Sequence, residues 1–267
     1  MTVATSWTAL QQAHVDEQIA LLEARLGNEH NHLPLSAVHE CVQQARARFE
    51  HARVLTFLPI LIERAARAAL GRPPLPEWGR ALAERLLADE LPRRWRHSQG
   101  VAARAAEIAK VLPAEDGPVL IGAAWLHDIG YAHAAVDSGL HQLDGARYLA
   151  HHHMPHRVCA LIAHHAGAAA VAAEMGLSGE LAEFTDERGL TRDALWYCDM
   201  TTSPDGEPVG FDDRMAELRT RRAAADPVIR ALAVNGPERA AAVRRTEELL
   251  ASAEPSVDVV GGAGVNG

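Results

Sequence analysis

The apolar residues of this chain recur at the spacing of an α-helix over most of its length. Three stripes precede residue 70: Val15, Ile19, Leu22 and Leu26; then Val38, Val42, Ala45 and Phe49; then Leu58, Leu61, Ile62, Ala65 and Ala69. Spacings of three and four residues place such side chains on one face of a helix. The segment from Val119 to Leu126 is apolar on nearly all sides, which is typical of a central helix. Aromatic residues make up only 4% of the chain, so we predict an all-α fold.

The clearest break in this pattern is the segment "GRPPLPEWG", residues 71–79. Prolines so close together cannot continue a helix. We therefore predict a small three-helix module at 1–72, a Pro-rich linker at 73–80 and a helical domain at 81–252. The glycine-rich end, 253–267, is predicted to be a flexible tail.

Charge and cysteine usage exclude several classes of protein. The net charge is −9, and the densest basic run, "RTRR" at 219–222, is too short for a nucleic-acid stripe. Cys41, Cys159 and Cys198 are not at metal-binding spacing. The longest apolar run, 54–62, is shorter than the ~18 residues of a membrane span, and the N-terminus lacks a signal-peptide pattern. We expect a cytoplasmic protein with a small-molecule partner, without membrane or nucleic-acid polymer.

Histidines are concentrated in the middle of the chain, where ten of the fifteen lie between 97 and 165. His127 and Asp128 end the apolar segment "GAAWLHDIGYA", and a carboxylate there needs a compensating neighbour because burying it alone is costly. Other candidates lie at inward-facing helical positions: His97, His141, His164, His165 and Asp199. Side chains of this kind on several helices can converge in a bundle core to bind metal.

The ligand types narrow the expected cofactor. Imidazole and carboxylate without thiolate favour a divalent metal, with iron or manganese expected and cobalt, nickel or zinc possible. Two carboxylates shared among these histidines can hold either one ion or two. A bound metal lowers the pKa of its water and so supplies hydroxide near neutral pH. Arg94 and Arg147 are candidates to bind a substrate phosphate.

Five segments in order, "RRWRHSQGVAARAAEIA", "LIGAAWLHDIGYA", "HQLDGARYLA", "LIAHHAG" and "ALWYCDMTT", resemble the HD-domain metal-dependent phosphohydrolases over about residues 90–205. The resemblance implies an all-α bundle. It also implies a first metal held by His97, His127, Asp128 and Asp199. His141 and one or both of His164 and His165 match the additional histidines of di-metal members, and His165 is the preferred match.

The resemblance has a limit, because no "GYP" signature follows the histidine pair, which argues against cyclic dinucleotide hydrolysis. We expect a hydrolase that cleaves a phosphoester or phosphoanhydride of a small molecule, with a nucleotide as the expected substrate. Its catalytic residues would be His127 and Asp128, with Asp128 as the bridging ligand and a metal-bound hydroxide as the nucleophile. Two alternatives stay open: a di-iron oxygenase on the same scaffold, and a non-catalytic nucleotide-sensing module.

The N-terminal segment also resembles a short bacterial three-helix module that is fused to enzymes. The resemblance is carried by "ARARFEHARVLTFLPILIERAARAAL". It implies a homodimer formed through the N-terminal helices, and a monomeric mass in light scattering would count against that expectation.

Overall fold

The computed structural model describes residues 3–30, 33–49, 57–71 and 73–253. Within these residues the regular structure is helical and contains no strand, apart from an isolated antiparallel bridge between Thr202 and Pro208. The predicted all-α fold is confirmed. The chain divides into two compact units, Met1–Pro73 and Pro74–Gly267. Residues 254–267 of the predicted tail lie outside the described residues.

The first unit contains three helices: α1 (Val3–Glu29), α2 (Leu35–Ala47) and α3 (Leu58–Leu70). Its buried core consists of Val15, Ile19, Leu22, Leu26, Val38, Val42, Ala45, Leu58, Ile62 and Ala66. These are largely the predicted stripes, although Leu61 is exposed. Part of the segment that resembles the dimerisation module, residues 50–56, lies outside the described residues, and the homodimer stays a prediction.

The second unit is a larger helical bundle. Its helices are α4 (Leu75–Leu87), α5 (Pro92–Ile108), α6 (Asp116–Leu126), α7 (His141–His151), α8 (His156–Ala163), α9 (Ala168–Met175), α10 (Ser178–Leu181), α11 (Leu190–Met200), α12 (Phe211–Arg221) and α13 (Pro227–Ala253). The apolar helix α6 packs against α4, α5, α8 and α11. These contacts confirm that α6 is the central helix. A helix without a polar face is expected to be buried on all sides.

The predicted linker at 73–80 is wrong from Leu75 onward, because α4 begins there. Pro76 occupies the first turn of α4, where a missing N–H leaves no helical hydrogen bond unmade. Gly79 then lies close to Gly122 of α6, so that a Cβ on Gly79 would be 3.2 Å from the Gly122 carbonyl oxygen. The proline cluster therefore starts a core helix.

Two helices that carry candidate ligands end in short 3₁₀ turns. α6 is followed by a turn at Ile129–Tyr131, and α8 by a turn at His165–Gly167. In the second turn Ala166 and Gly167 adopt left-handed φ values of 52° and 70°. Among the described residues, His156–Met175 is the stretch apolar enough to cross a membrane by composition; 67% of that window is buried, and this turn interrupts it.

Candidate metal centre

Six of the predicted side chains converge in the second unit as two groups of potential ligands. Group A is His97, His127 and Asp199, and group B is Asp128, His141 and His165. Within each group the ligand atoms all lie within 4.8 Å of one another. The groups adjoin, since Asp128 Oδ2 is 3.6 Å from His127 Nε2.

Backbone carbonyls fix the rings of group A. His97 Nδ1 donates to Ser203 O at 2.9 Å, and His127 Nδ1 donates to Ala124 O at 2.8 Å. Because a carbonyl oxygen only accepts, each Nδ1 carries the proton and each Nε2 presents its lone pair to the group. His97 Nε2 lies 3.0 Å from Asp199 Oδ1, and the buried His127 Nε2 has no hydrogen-bond partner.

Group B is built in the same way around α7 and the turn after α8. His165 Nδ1 donates to Ile162 O at 2.7 Å, so its Nε2 is free to face His141 Nε2 at 3.3 Å. His141 Nε2 is also 3.4 Å from Asp128 Oδ1. The Tyr131 ring stacks on His141, with ring centroids 4.1 Å apart.

Arg94 is the basic neighbour of group B. Its Nη1 donates to Asp128 Oδ2 at 2.7 Å, and its guanidinium carbon lies 3.9 Å from the centroid of the Tyr131 ring. Tyr131 was not among the residues selected from the sequence. Its position three residues after Asp128, at the end of the turn that leaves α6, is the signal that could have found it.

Burial and neighbouring charges lower the pKa values of the aspartates and of two histidines in the site. Burial disfavours the ionised form of Asp128, but the positive charge of Arg94 overcomes this and holds its pKa well below the usual value. The pKa of Asp199 is also lowered against burial, by its close contact with His97. Burial lowers the pKa of His141 well below its usual value and that of His165 to about 4. At neutral pH the carboxylates are therefore ionised and these two imidazoles are neutral.

The arrangement fits a divalent metal. His97 Nε2 and Asp199 Oδ1 are two acceptors at 3.0 Å, and a proton or a cation must lie between them. The unpaired Nε2 of His127 is a buried atom that a metal would satisfy. The nitrogen and oxygen donor set contains no thiolate, since burial raises the pKa of the neighbouring Cys198.

His164 lies outside both groups, which corrects its prediction as a ligand. Its Nε2 donates to Phe184 O at 2.7 Å. α8 ends at Ala163, and consecutive side chains beyond it point in different directions. The geometry therefore selects His165, the preferred alternative.

Arg147 is not placed to bind a substrate phosphate, and this prediction was wrong. One edge of its guanidinium faces Glu183, with Nε at 3.2 Å and Nη2 at 2.5 Å from the two carboxylate oxygens. It follows His141 by six residues, which places it about 240° around the helix. Arg147 therefore forms a surface ion pair.

A buried carboxylate positions the start of α7. Asp144 accepts hydrogen bonds from the backbone N–H groups of Asp137, Ser138 and Gly139 and from the Ser138 hydroxyl. These bonds fold the loop that immediately precedes His141. Asp144 therefore orients His141 through the backbone of the loop.

An open cavity with about 550 Å³ of empty space, solvent included, is lined by Asp128, His141 and His165 of group B and by Asp199 of group A. Its wall carries five arginines: Arg94, Arg214, Arg221, Arg222 and Arg239. Two of them, Arg221 and Arg222, belong to the "RTRR" run. The sequence analysis found this run too short to bind nucleic acid and did not predict that it lines a cavity. Arg214 and Arg239 belong to no motif, so sequence reasoning missed them.

Comparison with known families gives one match. Residues 94–197 match the family model described as HD domain. No curated protein and no solved structure matches the chain. The HD family implies the metal-dependent phosphohydrolase superfamily, which agrees with the histidines and aspartates of groups A and B. The comparisons therefore show a similarity to the HD domain family over residues 94–197.

Proposed function

We propose that this protein is a metal-dependent phosphohydrolase that cleaves a phosphoester or phosphoanhydride of a small molecule, with a nucleotide as the expected substrate. The observation that carries the proposal is the pair of adjoining nitrogen and oxygen ligand groups beside an arginine-lined cavity.

Two ions fit the ligand geometry, one in each group, and iron or manganese are the metals we expect. Asp128 is suited to bridge them because its two oxygens face different groups. Oδ1 is 3.4 Å from His141 Nε2 of group B, and Oδ2 is 3.6 Å from His127 Nε2 of group A. Bound divalent ions would lower the pKa of water and neutralise the phosphoryl oxygens.

The surrounding residues hold the ligands in the form that binds a cation. The three backbone carbonyls behind His97, His127 and His165 keep each Nε2 directed inward. Arg94 keeps Asp128 ionised and has further N–H donors beyond the one that Asp128 accepts. We assign to those donors the orientation of a phosphoryl oxygen in the substrate.

The test is a comparison of phosphate release and oxygen uptake by protein loaded with manganese or iron. We expect phosphate release from a panel of phosphomonoesters and nucleotides. The Asp199→Asn variant should lower kcat/KM by about 100-fold or more, since it removes the charge of one ligand. Asp89→Asn, at an exposed position, serves as the control and should keep wild-type activity.

The same experiment separates the alternatives. Oxygen uptake that requires iron, without phosphate release, would contradict the proposal and favour the di-iron oxygenase. Tight nucleotide binding without either reaction would favour the sensing module.

A further inference from the structure

One face of the cavity is formed by arginines that lie outside the HD family match. We call Arg214, Arg221, Arg222 and Arg239 the arginine wall; all four line the cavity. They come from α12, the residue after it, and α13, whereas the family match ends at residue 197. The HD family match therefore does not indicate what they recognise.

Carboxylates compensate three members of the wall. Arg214 Nη1 and Arg221 Nε share Glu217, at 2.5 and 3.1 Å. Arg222 Nη1 donates to Asp226 at 2.8 Å, while the Nε of Arg222 is buried without a hydrogen-bond partner. Positive charge thus exceeds negative charge along the wall.

Arg239 differs from the other three because no carboxylate among the described residues pairs with it. It is only 3% exposed, its Nη2 donates to Ala166 O at 2.5 Å, and its Nε is buried without a partner. The preceding residue, Glu238, is instead bonded to Arg192 and Arg245. An acidic side chain is thus adjacent in sequence but is paired elsewhere.

A buried guanidinium without a counter-ion is costly. Burial, together with the charges of Arg214 and Arg222, lowers the pKa of Arg239 to about 10, and the charge of Asp199 opposes this shift only in part. Arg239 is nevertheless a cation at neutral pH. An anion bound between these side chains would remove both the missing hydrogen bonds and the repulsion.

We propose that Arg239 and Arg222, with Arg214, bind a second phosphate group of the substrate. The substrate is then a compound with at least two phosphates, one placed at groups A and B and one at the arginine wall. Phosphate matches the planar fork of arginine donors. The assignment of the first phosphate rests on the proposed function, but the anion subsite itself does not.

A purely structural role for Arg239 makes a different prediction. Arg239 and Asn235 donate to consecutive carbonyls, those of Ala166 and Gly167, just after His165. If Arg239 served only to hold this turn, loss of either side chain would have similar effects. The Asn235→Ala variant therefore separates backbone support from anion binding.

The experiment is calorimetric titration of inorganic tripolyphosphate and of orthophosphate into metal-free full-length protein. We expect tripolyphosphate to bind more tightly than orthophosphate. Arg239→Gln and Arg222→Gln should each weaken its binding by about tenfold or more, and Arg239→Lys, which keeps the charge, by less. Arg244→Gln, exposed on the same helix, and Asn235→Ala should bind as the wild type does.

Three results would overturn the subsite: no preference for tripolyphosphate, binding by folded Arg239→Gln within about twofold of the wild type, or an equal loss in Asn235→Ala. Circular dichroism checks folding, and Arg222→Gln with Arg239→Lys decides the question if Arg239→Gln does not fold. The titration itself contains no metal. If tripolyphosphate binds but the native protein binds no metal, the hydrolase proposal is refuted and the anion subsite stands.

Discussion

His127 and Asp128 are neighbours in sequence, yet they belong to different ligand groups. His127 still has helical dihedral angles at the end of α6, whereas Asp128 has φ −100° and ψ 4°. The break between them turns consecutive side chains toward two adjoining positions. This local geometry explains how a short His-Asp motif contributes to both ligand groups.

The adjacent histidines after α8 give a matched pair of variants. We expect His165→Gln to reduce the metal content of the purified protein, because it removes a ligand from group B. His164→Gln should leave the metal content unchanged, since its side chain bonds to Phe184 O and a glutamine amide can also donate there. Metal analysis of the two variants measures this. Equal metal loss in both would show that the assignment of His165 alone is mistaken.

At this scale, sequence reasoning succeeded where residue type and helical position both constrain a side chain. His97, His127, Asp128, His141, His165 and Asp199 lie together as expected. His164 and Arg147 failed because their directions depend on where a helix ends and on angles around it. Arg239 could not be identified from the sequence, because its importance comes from the lack of a paired carboxylate in the folded structure.

At the scale of elements, the turn after α6 and the start of α7 are in backbone contact. A Cβ on Gly130 would lie 1.8 Å from His141 O, and one on Gly145 would lie 3.2 Å from Gly130 N. Two glycines thus allow the turn that carries Asp128 and Tyr131 to approach the helix that carries His141. Group B depends on this close approach.

We therefore expect Gly130→Ala to lower both stability and metal binding. The added methyl group must displace His141, at a cost of about 1–3 kcal/mol or more in the free energy of unfolding. Urea unfolding and metal analysis measure the two effects. The control is Gly179→Ala, where a Cβ meets no atom within 4 Å. Wild-type stability and metal content in Gly130→Ala would contradict the packing argument.

Element boundaries were harder to predict than element types. Gly236 and Pro237 form a pair that locally favours a break, but α13 begins at Pro227 and continues through both residues. Packing of α13 against α9 and α11 overrides the local signal. This difference places Asn235 and Arg239 on one continuous helix, where both reach the turn after His165.

For the whole molecule, the buried neutral histidines link stability to pH. Burial lowers the pKa of His165 to about 4, below the usual value of 6.5. Between these values the unfolded chain binds a proton that the folded chain does not, so stability is complete above pH 6.5 and falls as the pH decreases toward 4. Asp128 and Asp199 have lowered pKa values, and their contributions are lost only at more acidic pH.

The metal-free protein should therefore lose about 2 kcal/mol of unfolding free energy from His165 alone between pH 8 and pH 5. Urea unfolding at several pH values, with a chelator present, measures the slope. The His165→Gln variant should show a shallower slope, whatever its absolute stability. Identical slopes in the wild type and the variant would refute this coupling.

The central claim for the molecule is that groups A and B hold divalent metal. Its most direct test is metal analysis of protein purified at low oxygen without a chelator or a histidine tag, beside the Asp128→Ala variant. The arrangement of groups A and B predicts about two equivalents of iron or manganese per chain, with a marked loss in the variant because Asp128 faces both groups. An absence of metal above background, with the variant equally stable, would contradict the account and reduce His127 and Asp128 to a buried polar pair.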